Sequence, residues 1–149
     1  MCDQHEFTFD VDRAYANQVL EALAASPEHP LSNPSAPKRF GVYALYQKGS
    51  ATPVYIGQAV GSGGIAGRLR DHFKKIDDRE GLSIADISCR FLTIAQQWEV
   101  ARAEDALISR YSPPWNGIPG FSMHVPGRGR PGMPDYSNEW ERRYPPRAT

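Results

Sequence analysis

The 149-residue chain has only two cysteines, Cys2 and Cys89. They do not form a zinc-ligand spacing or a disulfide framework, so two free thiols in a reducing compartment, the cytoplasm, are expected. No stretch approaches the eighteen or so apolar residues that a membrane-spanning helix needs, and the acidic N-terminus MCDQHEFTFDVD lacks the apolar core of a signal peptide. Net charge is also missing: 17 basic residues balance 17 acidic ones, which excludes a general nucleic-acid coat protein. The charge is unevenly placed, however. Residues 1–37 hold six acids and one base, so the bases gather beyond them, at Arg68, Arg70, Lys74 and Lys75 and again at Arg128, Arg130, Arg142, Arg143 and Arg147.

The length fits one compact unit in two parts. Residues 1–39 read as an N-terminal β–α arm and a proline-rich linker. EFTFDV (6–11) alternates as a half-buried strand does, and Asp12 is placed to cap a helix to about Ser26. Pro27, Pro30, Pro34 and Pro37 then hold the chain extended. Residues 40–149 read as the main α+β domain. FGVYALYQ and PVYIGQAV, separated by KGSAT, predict a hairpin centred near Gly49. In that register Tyr43 and Tyr55 stand opposite each other on one face.

The next segment, AVGSGGIAG, either brings backbone amides to a phosphate or simply connects. It lacks the Gly-Lys-Ser/Thr ending of a nucleotide-binding loop. A helix over Ile65–Ile76 puts Arg68 and His72 at i and i+4 on one face, beside an apolar side of Leu69, Phe73 and Ile76. DISCRFLTIA (86–95) predicts a third strand and Trp98–Tyr111 a second helix with Glu104 at its middle. SPPWNG stops that helix and leaves Asn116 at a turn. A short helix is expected over Asn138–Arg142, with Trp140 folding back on the body.

Taken singly, each of these polar residues has a duller reading: packing tyrosines, an exposed histidine, a solvated glutamate. Their order has a specific match. GVY at 41–43, YIG at 55–57, Arg68 and His72 four apart, then Glu104 and Asn116, resemble the GIY-YIG nucleases. The resemblance implies a small antiparallel or mixed three-stranded sheet flanked by helices. It also implies six functional positions: Tyr43, Tyr55, Arg68, His72, Glu104 and Asn116. More narrowly, CRF in the third strand, AEDALI, Y-x-P-x-W-N at 111–116 and the run from Gly120 to Arg130 resemble the type II restriction endonuclease branch. The departure is a short link, ten residues between Gly57 and Arg68, where restriction members carry a longer segment that helps to embrace DNA.

The resemblance implies metal-dependent hydrolysis of DNA phosphodiesters. Glu104 would hold one Mg2+ (or Mn2+) per site, a hard cation that keeps most of its waters. Arg68 suits bidentate grip of a phosphate. Tyr43 is the implied base, yet a phenol is only about 0.1% ionised at neutral pH, so His72, with an ordinary pKa near neutrality, is expected to accept its proton. Tyr55 would orient water or phosphate, and Asn116 would position a tyrosine or a water by its amide. Arg70, Lys74, Lys75, His124, Arg128 and Arg130 are candidate DNA contacts. The partner expected is double-stranded DNA, cut by a homodimer whose twofold axis matches a palindrome. Two alternatives stand beside this one: a structure-specific or single-strand nuclease of repair, recombination or mobile elements, and a non-catalytic DNA-binding module.

Overall fold

The structure is a computed structural model, and it describes residues 4–121 and 138–148. In chain order the elements are α1 (Val11–Ala25), β1 (His29–Pro30), β2 (Gly41–Gln47), β3 (Tyr55–Ala59), α2 (Gly64–Ile76), β4 (Ile87–Thr93), α3 (Gln97–Tyr111) and α4 (Glu139–Arg143). The four strands form one antiparallel sheet in the order β1-β4-β2-β3, so the α+β class holds.

Two local expectations give way. Residues 6–10 form no strand; Phe7 and Phe9 are 84% and 63% exposed, and no described strand lies alongside to pair with them. The helix starts two residues earlier than Asp12 implies, because Asp10 accepts a hydrogen bond from the Arg13 amide and caps it. The sheet also gains a fourth strand from inside the proline-rich segment, where His29 and Pro30 pair with Cys89 and Ser88. Proline is tolerated there because the pair lies at the sheet edge, where one side of the strand needs no donor.

Alternation along β2 sorts the core into two layers. Tyr43 and Leu45 face α2 and pack with Ile65, Leu69, Ile76, Trp115, Phe121 and Trp140. Val42 and Ala44 face the opposite side with Leu23 of α1 and Val100, Ala103 and Leu107 of α3. The N-terminal helix is thereby part of the second layer.

The hairpin register is offset by two residues from the expected one. Tyr43 pairs with Gly57, and Tyr55 with Leu45. A shift of two keeps the side-chain parity, so both tyrosines still share a face, now diagonal to each other with ring centroids 6.1 Å apart. The offset also explains two glycines of the signature. A Cβ at Gly57 would sit 2.4 Å from the Tyr43 hydroxyl, and one at Gly41 would sit 2.0 Å from the Leu92 carbonyl oxygen. Gly41 lets β4 and Ile65 of α2 close on the strand; Gly57 leaves room for the Tyr43 ring.

Candidate active site

The site forms where the free edge of β3 meets α2 on one side of the sheet and α3 on the other. Tyr43 (0% exposed), Tyr55 and His72 (1% exposed) make its buried floor. Arg68 and Glu104, both partly exposed, make its accessible rim. The structure therefore brings five of the six expected positions into one cluster: Tyr43, Tyr55, Arg68, His72 and Glu104. Electrostatic contact runs through it, from Arg68 to Tyr43, Tyr55 and Glu104 and from Glu104 to Tyr55.

His72 Nε2 lies 2.7 Å from the Tyr43 hydroxyl. Its ring is held between Tyr55 and Phe121, with centroids at 4.8 and 4.9 Å. Nδ1 is buried with no hydrogen-bond partner among the described residues. The expectation that His72 titrates near neutrality is corrected here. Burial first, and the positive charges of Arg68 and Lys75 second, push its pKa down to about 3. The Tyr43 phenol moves the other way: burial, and then the neighbouring Tyr55 phenol, raise its pKa, and Arg68 only partly opposes them. Both shifts make proton transfer from Tyr43 to His72 less favourable than in water. Before substrate enters, the pair is a neutral hydrogen-bonded dyad.

Glu104 sits mid-helix on the flank of α3 nearest β3. Burial and the adjacent Asp105 raise its carboxyl pKa, with Arg68 opposing. Such a carboxylate gains from a cation. Among the described residues no group of three or more His, Cys, Asp or Glu can hold a metal, and His72 Nε2 is engaged with Tyr43. These residues fit a hard cation bound through a single protein carboxylate with water and phosphate completing its shell; they do not fit zinc.

Asn116 lies outside the cluster and acts through the backbone. It lies within the short 3₁₀ turn at Pro114–Gly117, its Oδ1 accepts from the Ile56 amide at 2.9 Å, and its Nδ2 donates to the Ile56 carbonyl at 2.8 Å. Ile56 lies between Tyr55 and Gly57, so this amide clamps the edge strand that carries Tyr55. Asn116→Asp should cost about 2–4 kcal/mol, because the carboxylate opposes the Ile56 carbonyl and removes its donor. The check is urea denaturation of parent and variant; an unchanged midpoint would show that the clamp is dispensable.

The basic residues of α2 do not share one surface. Arg70 is two residues past Arg68, about 200° round the helix. It lines a recess of about 320 Å3 with Leu31, Pro34, Ala66 and Phe73 on the far flank, and Lys74 is exposed on the outer side. Lys75 instead donates to the carbonyls of Phe121 at 2.6 Å and Gly120 at 3.4 Å, tying the C-terminal segment against α2. His124, Arg128 and Arg130 lie outside the described residues. Phe121, which closes the floor over His72 and meets Tyr55 edge-on, has no sequence signal beyond its place in the Gly120–Arg130 run.

The glycine-rich loop is not a phosphate cradle. The first amides of α2 are already satisfied by backbone: Gly64 to Gly61, Ile65 to Arg39, Ala66 to Pro37 and Gly67 to Gly63. Gly64, at φ +60°, is needed because a Cβ there would lie 2.4 Å from the Arg39 nitrogen.

An accessible arginine and carboxylate above a buried tyrosine–histidine dyad have the chemistry to grip a phosphate, ligate a cation and order a hydroxyl network, the set a phosphodiesterase needs. A family model described as the Eco29kI GIY-YIG domain matches residues 57–149, more than half of the chain. The chain belongs to that family, which makes it a GIY-YIG endodeoxyribonuclease. Among solved structures, the GIY-YIG N-terminal endonuclease domain of UvrC from Thermotoga maritima, crystallised with its catalytic divalent cation magnesium, is 24% identical. That alignment covers 66% of this chain and 96% of that one, at a TM-score of 0.40. No curated protein sequence matches the chain.

Proposed function

We propose that the protein is a sequence-specific restriction endonuclease of type II, cutting double-stranded DNA as a homodimer with one Mg2+ (or Mn2+) per site. The observation that carries this reading is the extent of the family match. It continues through the restriction-type C-terminal run to residue 149 and is not confined to the nuclease core. No described helix is long and apolar enough to cross a membrane, and Cys89 is a buried free thiol, which suits a cytoplasmic enzyme.

In this reading the scissile phosphate enters at the rim. Arg68, half-exposed and paired only loosely with Asp71 at 3.9 Å, turns its guanidinium onto the non-bridging oxygens. Glu104 holds the cation, which when bound stabilises charge on the phosphate and the leaving 3′ oxygen. Once Arg68 leans toward the phosphate, the Tyr43 oxygen takes a proton from the attacking water as its own proton passes to His72 Nε2, 2.7 Å away, and the negative charge of the phosphate offsets the cost of the cationic imidazole. The phosphodiester P–O3′ bond breaks as the water oxygen bonds to phosphorus, leaving a 5′-phosphate and a 3′-hydroxyl. Tyr55, beside Arg68 and Glu104, orients the phosphate.

Incubated with plasmid DNA and magnesium, the protein should produce a discrete, reproducible set of double-strand fragments. Nicking or smearing, or cleavage confined to branched or single-stranded DNA, would instead favour a structure-specific nuclease.

A further inference from the structure

Beside the catalytic cluster lies an open groove that the chemistry above leaves without a role. It runs between the end of β3 and the start of α3, has a volume of about 600 Å3, and is lined by Gln58, Val60, Gln96, Gln97, Trp98 and Ala101. Three carboxamides and an indole make an unusual lining, and it contains no carboxylate. Trp98 is 68% exposed and Val60 37%, whereas Trp115 and Trp140 are 4% and 1% exposed. The fold leaves a large aromatic surface in water here and buries the other two indoles.

The groove is continuous with the cluster. Gln58 directly follows Gly57 in β3, and Ala101 lies one helical turn before Glu104 on the same flank of α3. From Glu104 to Trp98 is about 9 Å along the helix, two to three base steps at about 3.4 Å each. At the same end of the sheet, Lys38 and Arg39 line a second recess with Gly61 and Ser62. Both cations are exposed and have no ion-pair partner among the described residues.

The geometry points to this groove as the subsite for the nucleotides flanking the cut, an assignment that rests on the nuclease reading. Trp98 wedges into a base step within about three steps of the scissile phosphate, partly unstacking it so that the indole lies on a base face. The carboxamides of Gln58 and Gln97 meet base edges with the paired donor and acceptor that suit adenine. Lys38 and Arg39 take backbone phosphates farther along the strand. Sequence choice near the cut is thereby made by the edge strand and α3, on the Glu104 flank, and not by the scattered basic residues of α2.

The test uses the full-length Glu104→Gln protein, which binds without cutting, and a fluorescently labelled duplex of mixed sequence at low salt. Because Trp98 is the exposed tryptophan, acrylamide quenching of intrinsic emission reports on it. Saturating DNA should protect that emission severalfold, and Trp98→Ala should weaken binding, read by anisotropy of the duplex, by about tenfold at unchanged melting temperature. In the cleaving background, Gln58→Ala combined with Gln97→Ala should add new bands to the plasmid digest. A duplex that binds fully while Trp98 stays as quenchable as in the free protein would overturn the assignment and leave the nuclease reading intact. Failure to bind DNA at all would sink both. A Trp98→Ala protein that elutes as a smaller species than the parent would place the groove between two copies of the chain and also overturn it.

Discussion

Glu104→Gln should abolish cleavage, by about 1,000-fold or more, and leave the protein as stable as the parent or more stable. The loss follows from removing the carboxylate proposed to hold the cation, whose charge stabilisation is several kcal/mol, at about 1.4 kcal/mol per tenfold in rate. The stability effect follows from the direction of the Glu104 shift. Its pKa is raised, by burial and by Asp105 ahead of the opposing Arg68, so the folded state disfavours the ionised form. That cost grows as the pH rises above the unfolded-state value, and an isosteric amide removes it. A residue retained for packing would behave in the opposite way, losing stability and keeping activity. Single-turnover cleavage of plasmid, with thermal melting of the same samples at pH 7, separates the two. Cleavage at the parent rate would transfer the cation to another ligand.

How much of this was legible in the chain differs from residue to residue. The tyrosines, Arg68, His72 and Glu104 could be placed from signature order and helical spacing, and the structure does bring them together. The hairpin register was misjudged by two residues, harmlessly, because side-chain direction depends only on parity. Alternation over residues 6–11 misled, since a period of two describes a strand only if a neighbour supplies its hydrogen bonds. The two-residue β1 was invisible for the converse reason: its pairing is dictated by β4, and its own composition argues for a loop. The environment of His72 was the deepest omission. Helical position says which way the ring points. Its burial depends on Phe121 and Lys75 closing over it through contacts remote in sequence. The backbone partner of Asn116 was not legible, because an amide that clamps two backbone groups of β3 looks, in sequence, like any turn asparagine.

The burial of His72 has a measurable consequence in acid. In the unfolded chain the imidazole takes up a proton near its ordinary value of 6.5, whereas in the folded protein it resists until about 3. Between those values the unfolded state binds more protons, so stability is full above about pH 6.5 and falls as the pH drops toward 3. The slope approaches about 1.4 kcal/mol per pH unit, or on the order of 5 kcal/mol across the window. That is comparable with the whole stability of many domains. Glu104 works in the opposite sense, since a carboxyl with a raised folded-state pKa favours the folded protein as it protonates. His72→Phe isolates the two. A phenyl ring can occupy the slot between Tyr55 and Phe121, but it removes the hydrogen bond between His72 and the Tyr43 hydroxyl, a loss of about 1 kcal/mol that does not depend on pH. At pH 7 the variant should therefore be the less stable protein. By pH 4 the parent will have lost most of the contribution that the variant never had, so the two stability curves, measured by urea denaturation from pH 4 to 8, should converge or cross. Parallel curves would show that the proton taken up on acid unfolding belongs to another group, and that His72 is accessible enough to ionise in the folded state.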